Sequence, residues 1–170
     1  MKFKISQNTD SMCDTPEQLV EMMSHIQYQD FTRLMSPLEV FITASGSCHD
    51  QVMLEMQELY NMGLKPVGKF IMSVDEFGEG EETHSFVYYK IGKRWYWFEN
   101  ACEQEPYLIE DTIRYNMIYS NEKELIDSVM FAFGRRNGFV NLYIADFNPA
   151  DHTIGEDLDT LVDICMNSAE

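Results

Sequence analysis

The stretch that most constrains the fold is residues 83–101, THSFVYYKIGKRWYWFENA. Two runs rich in aromatic and β-branched residues flank Gly92 and Lys93, a pattern typical of two antiparallel strands joined by a two-residue loop. Glycine at the first loop position favours a type II′ turn, whose twist matches that of the strands. The sequence therefore predicts a tight β-hairpin, and with it an antiparallel sheet.

The length of the hairpin loop determines which residues share a face. With a two-residue loop, His84 pairs with Ala101 and Phe86 pairs with Glu99. Diagonal neighbours on one face lie roughly 7 to 8 Å apart at the backbone, so His84 and Glu99 are predicted to be within reach of each other. A three-residue loop would place them on opposite faces. The face of His84 also carries aromatic side chains that could be core or could line a substrate groove: Tyr88, Trp95 and Trp97.

Hydrophobic periodicity predicts further elements around the hairpin. Helices are predicted, from caps and apolar spacing, in residues 15–29, 48–63, 121–138 and 155–167. Strands are predicted in residues 65–75 and 139–147. Because Pro37 and Gly46 interrupt it, the segment 36–47 is expected to be extended or irregular, and the acidic segment 76–82 is expected to be a loop. Helices and hairpin together indicate an α+β fold in one domain, residues 1–170.

The net charge of the chain limits the classes of partner that it is expected to bind. A formal net charge of −17 argues against sequence-independent binding to nucleic acid or to an anionic membrane, since both require a basic face. No stretch approaches the roughly 18 to 20 uninterrupted apolar residues of a membrane span. The amino-terminal residues also lack the apolar core of a signal peptide. We therefore expect a cytoplasmic protein with neither nucleic acid nor membrane as partner, and the oligomeric state stays open.

The cysteines are scattered and have no CxxC spacing. Without an export signal, such cysteines are expected to be free thiols in a reducing compartment: Cys13, Cys48, Cys102 and Cys165. Cys48 differs from the others because it opens a predicted helix. There the exposed N–H groups and the helix dipole stabilise a thiolate and lower the thiol pKa from about 8.5.

A thiolate nucleophile needs an imidazole that accepts and returns a proton, and the imidazole needs an acceptor that orients it. His84 and Glu99 on the hairpin could supply these roles. His49 and Asp50 follow Cys48 directly, but adjacent side chains on a helix diverge by about 100°. His49 is therefore expected to point away from the thiol, and the trio Cys48, His49 and Asp50 is not expected to form a catalytic triad.

Two blocks of the sequence carry a family resemblance. Residues 46–72, GSCHDQVMLEMQELYNMGLKPVGKFIM, resemble the nucleophile segment of the transglutaminase-like cysteine peptidase superfamily, in which Gly-x-Cys-x-Asp opens a helix that leads into a turn and a strand. Residues 83–101 are similar to that superfamily's second block, a histidine strand, a hairpin and an acidic-residue strand. The likeness covers about residues 43–105 and is strongest to small bacterial and phage-associated members.

The resemblance implies a papain-like α+β architecture in which the helix of Cys48 packs on an antiparallel sheet led by the two hairpin strands. It implies that Cys48 is the nucleophile, His84 the general base and acid, and Glu99 the orienting acid. Asp50 and Gln51 match the family pattern and are expected to support the site. Members more often carry Asp at the third position; the longer Glu can make the same hydrogen bond but would hold the ring less tightly.

The implied reaction is attack of the thiolate on a protein or peptide amide, which gives a thioester acyl-enzyme. Water then completes hydrolysis or deamidation, whereas an amine completes cross-linking. The main-chain N–H of Cys48 would contribute to the oxyanion hole, and the second donor is unassigned. No cofactor and no metal ion are required.

Two other functions stay open from the sequence. A binding or regulatory protein could keep this fold without useful turnover, and both the Glu at the third position and the acidity of the chain favour it. A metal site could use Cys48, His49 and His84 with a carboxylate, since zinc accepts these ligand types. The spacing, however, lacks the paired ligands of structural zinc motifs.

Overall fold

The computed structural model of the protein describes residues 11–78, 81–99, 117–138 and 141–168. In these residues the chain has a mixed α+β fold, in which helices pack on a five-stranded antiparallel sheet. The α+β class is confirmed. So is the packing of the Cys48 helix on an antiparallel sheet, because that helix lies against the central strand of the sheet.

Helices and strands alternate irregularly along the described residues. The helices are α1 Pro16–Met23, α2 Pro37–Thr43, α3 Cys48–Asn61, α4 Glu122–Arg136 and α5 Leu158–Asn167, with a 3₁₀ turn at Pro149–Asp151. The strands are β1 Gln27–Tyr28, β2 Ser45–Gly46, β3 Val67–Val74, β4 Glu81–Ile91, β5 Arg94–Phe98, β6 Met117–Tyr119 and β7 Asn141–Asp146. Strands β1 and β2 form a short parallel pair, and the larger sheet has the order β6-β5-β4-β3-β7.

The hairpin of β4 and β5 has the predicted register. Ile91 pairs with Arg94 and Val87 pairs with Phe98, as a two-residue loop requires. Gly92 has a φ of 59°, and among the described residues Ala44 is the one non-glycine with a positive φ. A positive φ at the first loop position alone matches a type II′ turn and not a type I′ turn. The predicted pairing of His84 with Ala101 lies outside the described residues.

Helices cover both faces of the sheet. One face packs against α1, α3 and α5 through a large apolar cluster that includes Leu19, Leu54, Val87, Tyr89, Phe98 and Leu161. The other face packs against α4 through Ile71, Phe86, Tyr88, Trp97, Leu125, Val129 and Phe133, with Trp95 partly buried beside them. Each large side chain buried in this way contributes roughly 1.5–3 kcal/mol. The aromatic face of the hairpin is therefore core.

Helix α3 begins and ends where the sequence predicts. Ser47 is its N-cap and forms a capping box with Asp50. At the other end, Gly63 with a φ of 82° donates to the carbonyl of Tyr60, while Leu64 donates to the carbonyl of Leu59. These two bonds are the Schellman motif, in which a glycine takes the left-handed conformation that ends a helix.

The segment 36–47 was predicted to be extended or irregular, and this prediction was wrong for Pro37–Thr43 but correct for Ser45–Gly46, which form strand β2. Residues Pro37–Thr43 form α2, with Ser36 and Glu39 in a capping box. Proline breaks a helix interior, but at the first helical position its missing N–H costs nothing and its fixed φ suits the helix. The helix ends at Ala44, whose φ is 49°.

The helix predicted over residues 15–29 ends at Met23, and Gln27–Tyr28 form strand β1, so the last part of this prediction was wrong. The other predicted helices and strands agree with the structure, apart from their ends. Thr15 and Asn121 cap α1 and α4, and Gly138, with a φ of 74°, follows α4. The predicted acidic loop over 76–82 ends earlier, because β4 already begins at Glu81. Cys102 lies outside the described residues. None of the described helices has the length and apolar character needed to cross a membrane.

Candidate active site

The first turn of α3 presents Cys48. Cys48 is the first helical residue, directly after the N-cap Ser47. The carboxylate of Asp50 folds back over the turn, where its Oδ2 accepts hydrogen bonds from the Ser47 N–H at 2.9 Å and from the Ser47 hydroxyl at 2.7 Å. A Cβ on Gly46 would lie 3.0 Å from the Cβ of Asp50, so a larger residue there would force this close fold to shift. These contacts explain the Gly-x-Cys-x-Asp pattern.

Asp50 and Gln51 attach this turn to its surroundings. Oδ1 of Asp50 accepts a hydrogen bond from the main-chain N–H of Met35 at 2.8 Å, just ahead of α2. Nε2 of Gln51 donates to the carbonyl of Gly46 at 2.9 Å. Both side chains are buried. They hold the segments on either side of Cys48 in place, which is the geometry that a supporting role requires.

His84 and Glu99 meet on the hairpin, as diagonal neighbours on one face should. Nε2 of His84 lies 2.7 Å from Oε2 of Glu99, and both side chains are largely buried. The imidazole stacks against Phe133 of α4, with the ring centroids 6.1 Å apart. Burial by itself would lower the pKa of His84, but the charge of Glu99, with hydrogen bonds to Cys48 and Glu99, raises it to about 10.

Cys48 interacts with this pair. Its side chain is 5% exposed. Burial by itself would raise the pKa of the Cys48 thiol, but the charges and hydrogen bonds of His49 and His84 bring it well below its usual range. The helix start acts in the same direction, since its free N–H groups favour an anion. These shifts favour a thiolate paired with an imidazolium, and the charge of Cys48 acts on both His84 and Glu99.

His49 was predicted to point away from the thiol, and this prediction was wrong. The side chain of His49 is buried, and its charge and hydrogen bonding lower the pKa of Cys48. Nδ1 lies 2.7 Å from the hydroxyl of Ser85 and Nε2 lies 3.2 Å from the hydroxyl of Thr83. The helical angle between neighbours describes only the Cα–Cβ directions. Contacts with β4 decide where the ring itself lies.

Glu55 is a residue of the site that the sequence reasoning missed. It is buried on α3, and its Oε1 has no hydrogen-bond partner within the described part of the chain. Burial, with the charges of Glu99 and Cys48, raises the pKa of Glu55 well above its usual range, while His84 opposes this. These surroundings therefore favour the neutral form of the carboxyl group. Its spacing was the available signal, because a residue seven positions after Cys48 lies on the same helix face.

Glu99 is an ionisable group in the same low-dielectric surroundings. Burial raises its pKa, and the charge and hydrogen bond of His84 counteract that rise. A carboxylate can stay charged in such a place only with a close cationic partner. The imidazolium of His84 is that partner.

A metal site was one of the functions that the sequence left open. Across 11–78, 81–99, 117–138 and 141–168, no group of three or more His, Cys, Asp or Glu side chains is arranged to hold a metal ion. The described cysteines Cys13, Cys48 and Cys165 are free thiols.

Comparison with protein-family models gave no match to this chain, and neither did comparison with curated proteins. The transglutaminase-like resemblance therefore depends on the motifs themselves and stays a prediction.

Proposed function

We propose that this protein is a cysteine-dependent amide hydrolase or acyltransferase of the transglutaminase-like, papain-like class. One observation carries the proposal: a thiol at a helix start, its pKa lowered, interacts with an imidazole that is itself hydrogen-bonded to a buried carboxylate. This is the chemical requirement for a cysteine nucleophile with a proton-transfer partner and an orienting group. The order of the two motif blocks along the chain supports the same class.

The reaction proceeds in two steps. The Cys48 thiolate attacks the carbonyl carbon of a protein or peptide amide, and the carbonyl electron pair moves to oxygen. The main-chain N–H of Cys48, at the start of α3, stabilises this oxyanion. The His84 imidazolium then gives its proton to the leaving nitrogen, which departs as an amine or ammonia and leaves a thioester.

In the second step water or an amine attacks the thioester carbonyl, and His84, now neutral, accepts a proton from it during the attack. The Cys48 thiolate leaves and takes up its position beside the reprotonated His84. Water yields a carboxylate, and an amine yields a new amide. Glu99 keeps the imidazole in one orientation throughout and stabilises its charged form.

Selective alkylation tests this proposal before any substrate is known. Iodoacetamide at pH 7, followed by mass spectrometry of the intact chain and its peptides, is expected to label Cys48 at least about tenfold faster than Cys13 or Cys165, because the thiolate is the reacting species. The His84→Ala variant is expected to lose this preference. Equal slow labelling of all cysteines would contradict the proposal.

A second candidate function comes from the burial of Cys48, which is 5% exposed. A binding or regulatory protein could keep the activated thiol without turning over a large substrate. A panel of fluorogenic peptide amides, with and without a primary amine, separates the two functions. Release of product that depends on Cys48 supports the enzyme, whereas fast alkylation without turnover supports the regulatory protein.

A further inference from the structure

The two residues that flank His84 on β4 both contact the residue that follows Cys48 on α3. Thr83 and Ser85 present their hydroxyls to Nε2 and Nδ1 of His49, at 3.2 and 2.7 Å. The nucleophile and the imidazole thus belong to two short segments that are joined side by side through one buried ring.

Side-chain alternation along β4 makes this link possible. Successive residues of a strand point to opposite faces. Thr83 and Ser85 therefore point towards α3 and meet His49, while His84 between them points to the other face and stacks on Phe133. The Cys48 sulfur interacts with both imidazoles.

Aromatic rings hold the His49 imidazole from several sides. It stacks against Phe70 at 5.9 Å and Phe147 at 6.4 Å between centroids, and the edge contact with Phe31 is at 5.6 Å. The side chain is 2% exposed. A ring packed in this way has little freedom to take another rotamer, so its two hydrogen bonds transmit position between α3 and β4.

We propose that His49 is a positioning residue which clamps the first turn of α3 to β4 and so sets the separation between the Cys48 sulfur and the His84 ring. The proposal rests on the proposed function. The other contacts between α3 and the sheet are mostly apolar, and apolar burial is non-directional, whereas hydrogen bonds are directional. Displacement by about 1 Å can cost an enzyme on the order of 10²-fold in rate.

The test removes the two hydroxyls and leaves the three side chains of the candidate site unchanged. The variant is Thr83→Val with Ser85→Ala, and the measurement is the rate of Cys48 alkylation by iodoacetamide between pH 4 and 10, with mass spectrometry of the Cys48 peptide. We expect the apparent pKa of Cys48 to rise by at least about one unit, which is about tenfold less thiolate below that pKa. An alkylation profile identical to that of the wild type overturns the clamp.

A buried imidazole outside the site provides the matched control. His152 lies on the far side of Phe147, whose ring stacks on both His152 and His49. His152→Gln is expected to lower the thermal unfolding midpoint and to leave the Cys48 profile unchanged. A shift in this variant equal to that of the double variant would mean that loosened packing alone moves the pKa, and would also overturn the clamp.

Three further variants keep the outcomes distinguishable. Thr83→Ser retains a hydroxyl and is expected to keep the wild-type profile, while Thr83→Val alone shifts it, which protects the test if the double variant does not fold. His84→Ala reports on the proposed function: if it leaves the Cys48 profile unchanged, the proposed function fails. If His84→Ala shifts the profile and the hydroxyl variants do not, the clamp alone fails.

Discussion

The described part of the chain contains two groups of a Cys, a His and a Glu, and the groups differ in how their surroundings change the pKa of the thiol. The first is the candidate site. In the second, Nδ1 of His152 lies 2.6 Å from Oε1 of Glu156, and Nε2 lies 3.7 Å from the sulfur of Cys165. All three of these side chains are almost fully buried. By residue type and connectivity alone, the two groups look alike.

The thiol pKa values move in opposite directions. Burial raises the pKa of Cys165 to about 12, and the charges of Glu156 and Asp151 add to the rise. In contrast, the pKa of Cys48 is lowered despite comparable burial, through His49 and His84. Cys48 is the first residue of α3, whereas Cys165 lies in the last turn of α5, where the helix dipole disfavours an anion. Helix position and the number of neighbouring imidazoles account for the opposite pKa shifts of the two thiols.

Replacing each thiol in turn should give the largest difference in turnover between the two groups. Cys48→Ser is expected to reduce turnover of a peptide amide by at least about 10³-fold, because the serine hydroxyl is not ionised at neutral pH and is a far poorer nucleophile than a thiolate. Cys165→Ala is expected to keep turnover within about threefold and to lose stability, by about 1–3 kcal/mol for a buried side chain made smaller. Comparable losses of turnover in both variants would contradict the distinction between the two groups.

The carboxylates provide the next comparison. Glu99→Gln removes the charge that favours the His84 imidazolium, and we expect turnover to fall by about 10²–10⁴-fold. Glu156→Gln can keep a hydrogen bond to His152 and is expected to leave turnover unchanged. Steady-state rates at pH 7 measure both effects. A Glu99→Gln enzyme as active as the wild type would remove Glu99 from the site.

The pH dependence of turnover follows from His84. The imidazolium must donate a proton to the leaving nitrogen, so activity is expected to persist at pH 8–9 and to be lost as the pH rises through about 10, the pKa of His84. Rates between pH 5 and 11 test this, with Cys48 alkylation followed in parallel. A loss of activity as the pH rises through about 6.5, the ordinary pKa of histidine, would show that His84 is not held as an imidazolium.

Folding stability should also depend on the ionisation of His84, and the pKa shift sets the direction of its change with pH. The pKa of His84 is higher in the folded protein, about 10, than in the unfolded chain, about 6.5. Its contribution is therefore fully present below about pH 6.5 and is lost as the pH rises through about 10. Urea unfolding of wild type and His84→Gln from pH 6 to 10.5 measures it. The difference between the two should shrink with rising pH, and a growing difference would contradict the assignment.

Substitution of Glu55 should give the smallest change in turnover. Because burial raises the pKa of Glu55 and so favours its neutral form, Glu55→Gln keeps the shape of the side chain and is expected to change turnover by less than about threefold. Glu55→Asp is the matched comparison, since it keeps the acid but shifts it along the helix. If Glu55→Gln instead moves the pH profile of Cys48 alkylation, Glu55 is ionised in the folded protein.

Local chemistry explains which parts of the fold and the site were predictable. The turn at Gly92 and the helix start at Ser47 depend on neighbours within a few residues, so their geometry can be read from the sequence. The hairpin register then brings His84 to Glu99 without knowledge of the rest of the fold. Helix α2 was missed for a local reason, because Pro37 was read as a breaker and not as a first helical residue.

By itself, the sequence determined the capped start of α3 at Cys48, the strand pair of His84 and Glu99, and the α+β class, because caps, turns and side-chain periodicity act over a few residues. Only the tertiary structure decided that His49 turns to Thr83 and Ser85, that Glu55 is buried beside the site, and that Cys165 forms a second group with a raised pKa. Those outcomes depend on desolvation and on charges from distant segments. Such effects exist only after helices and sheet have packed.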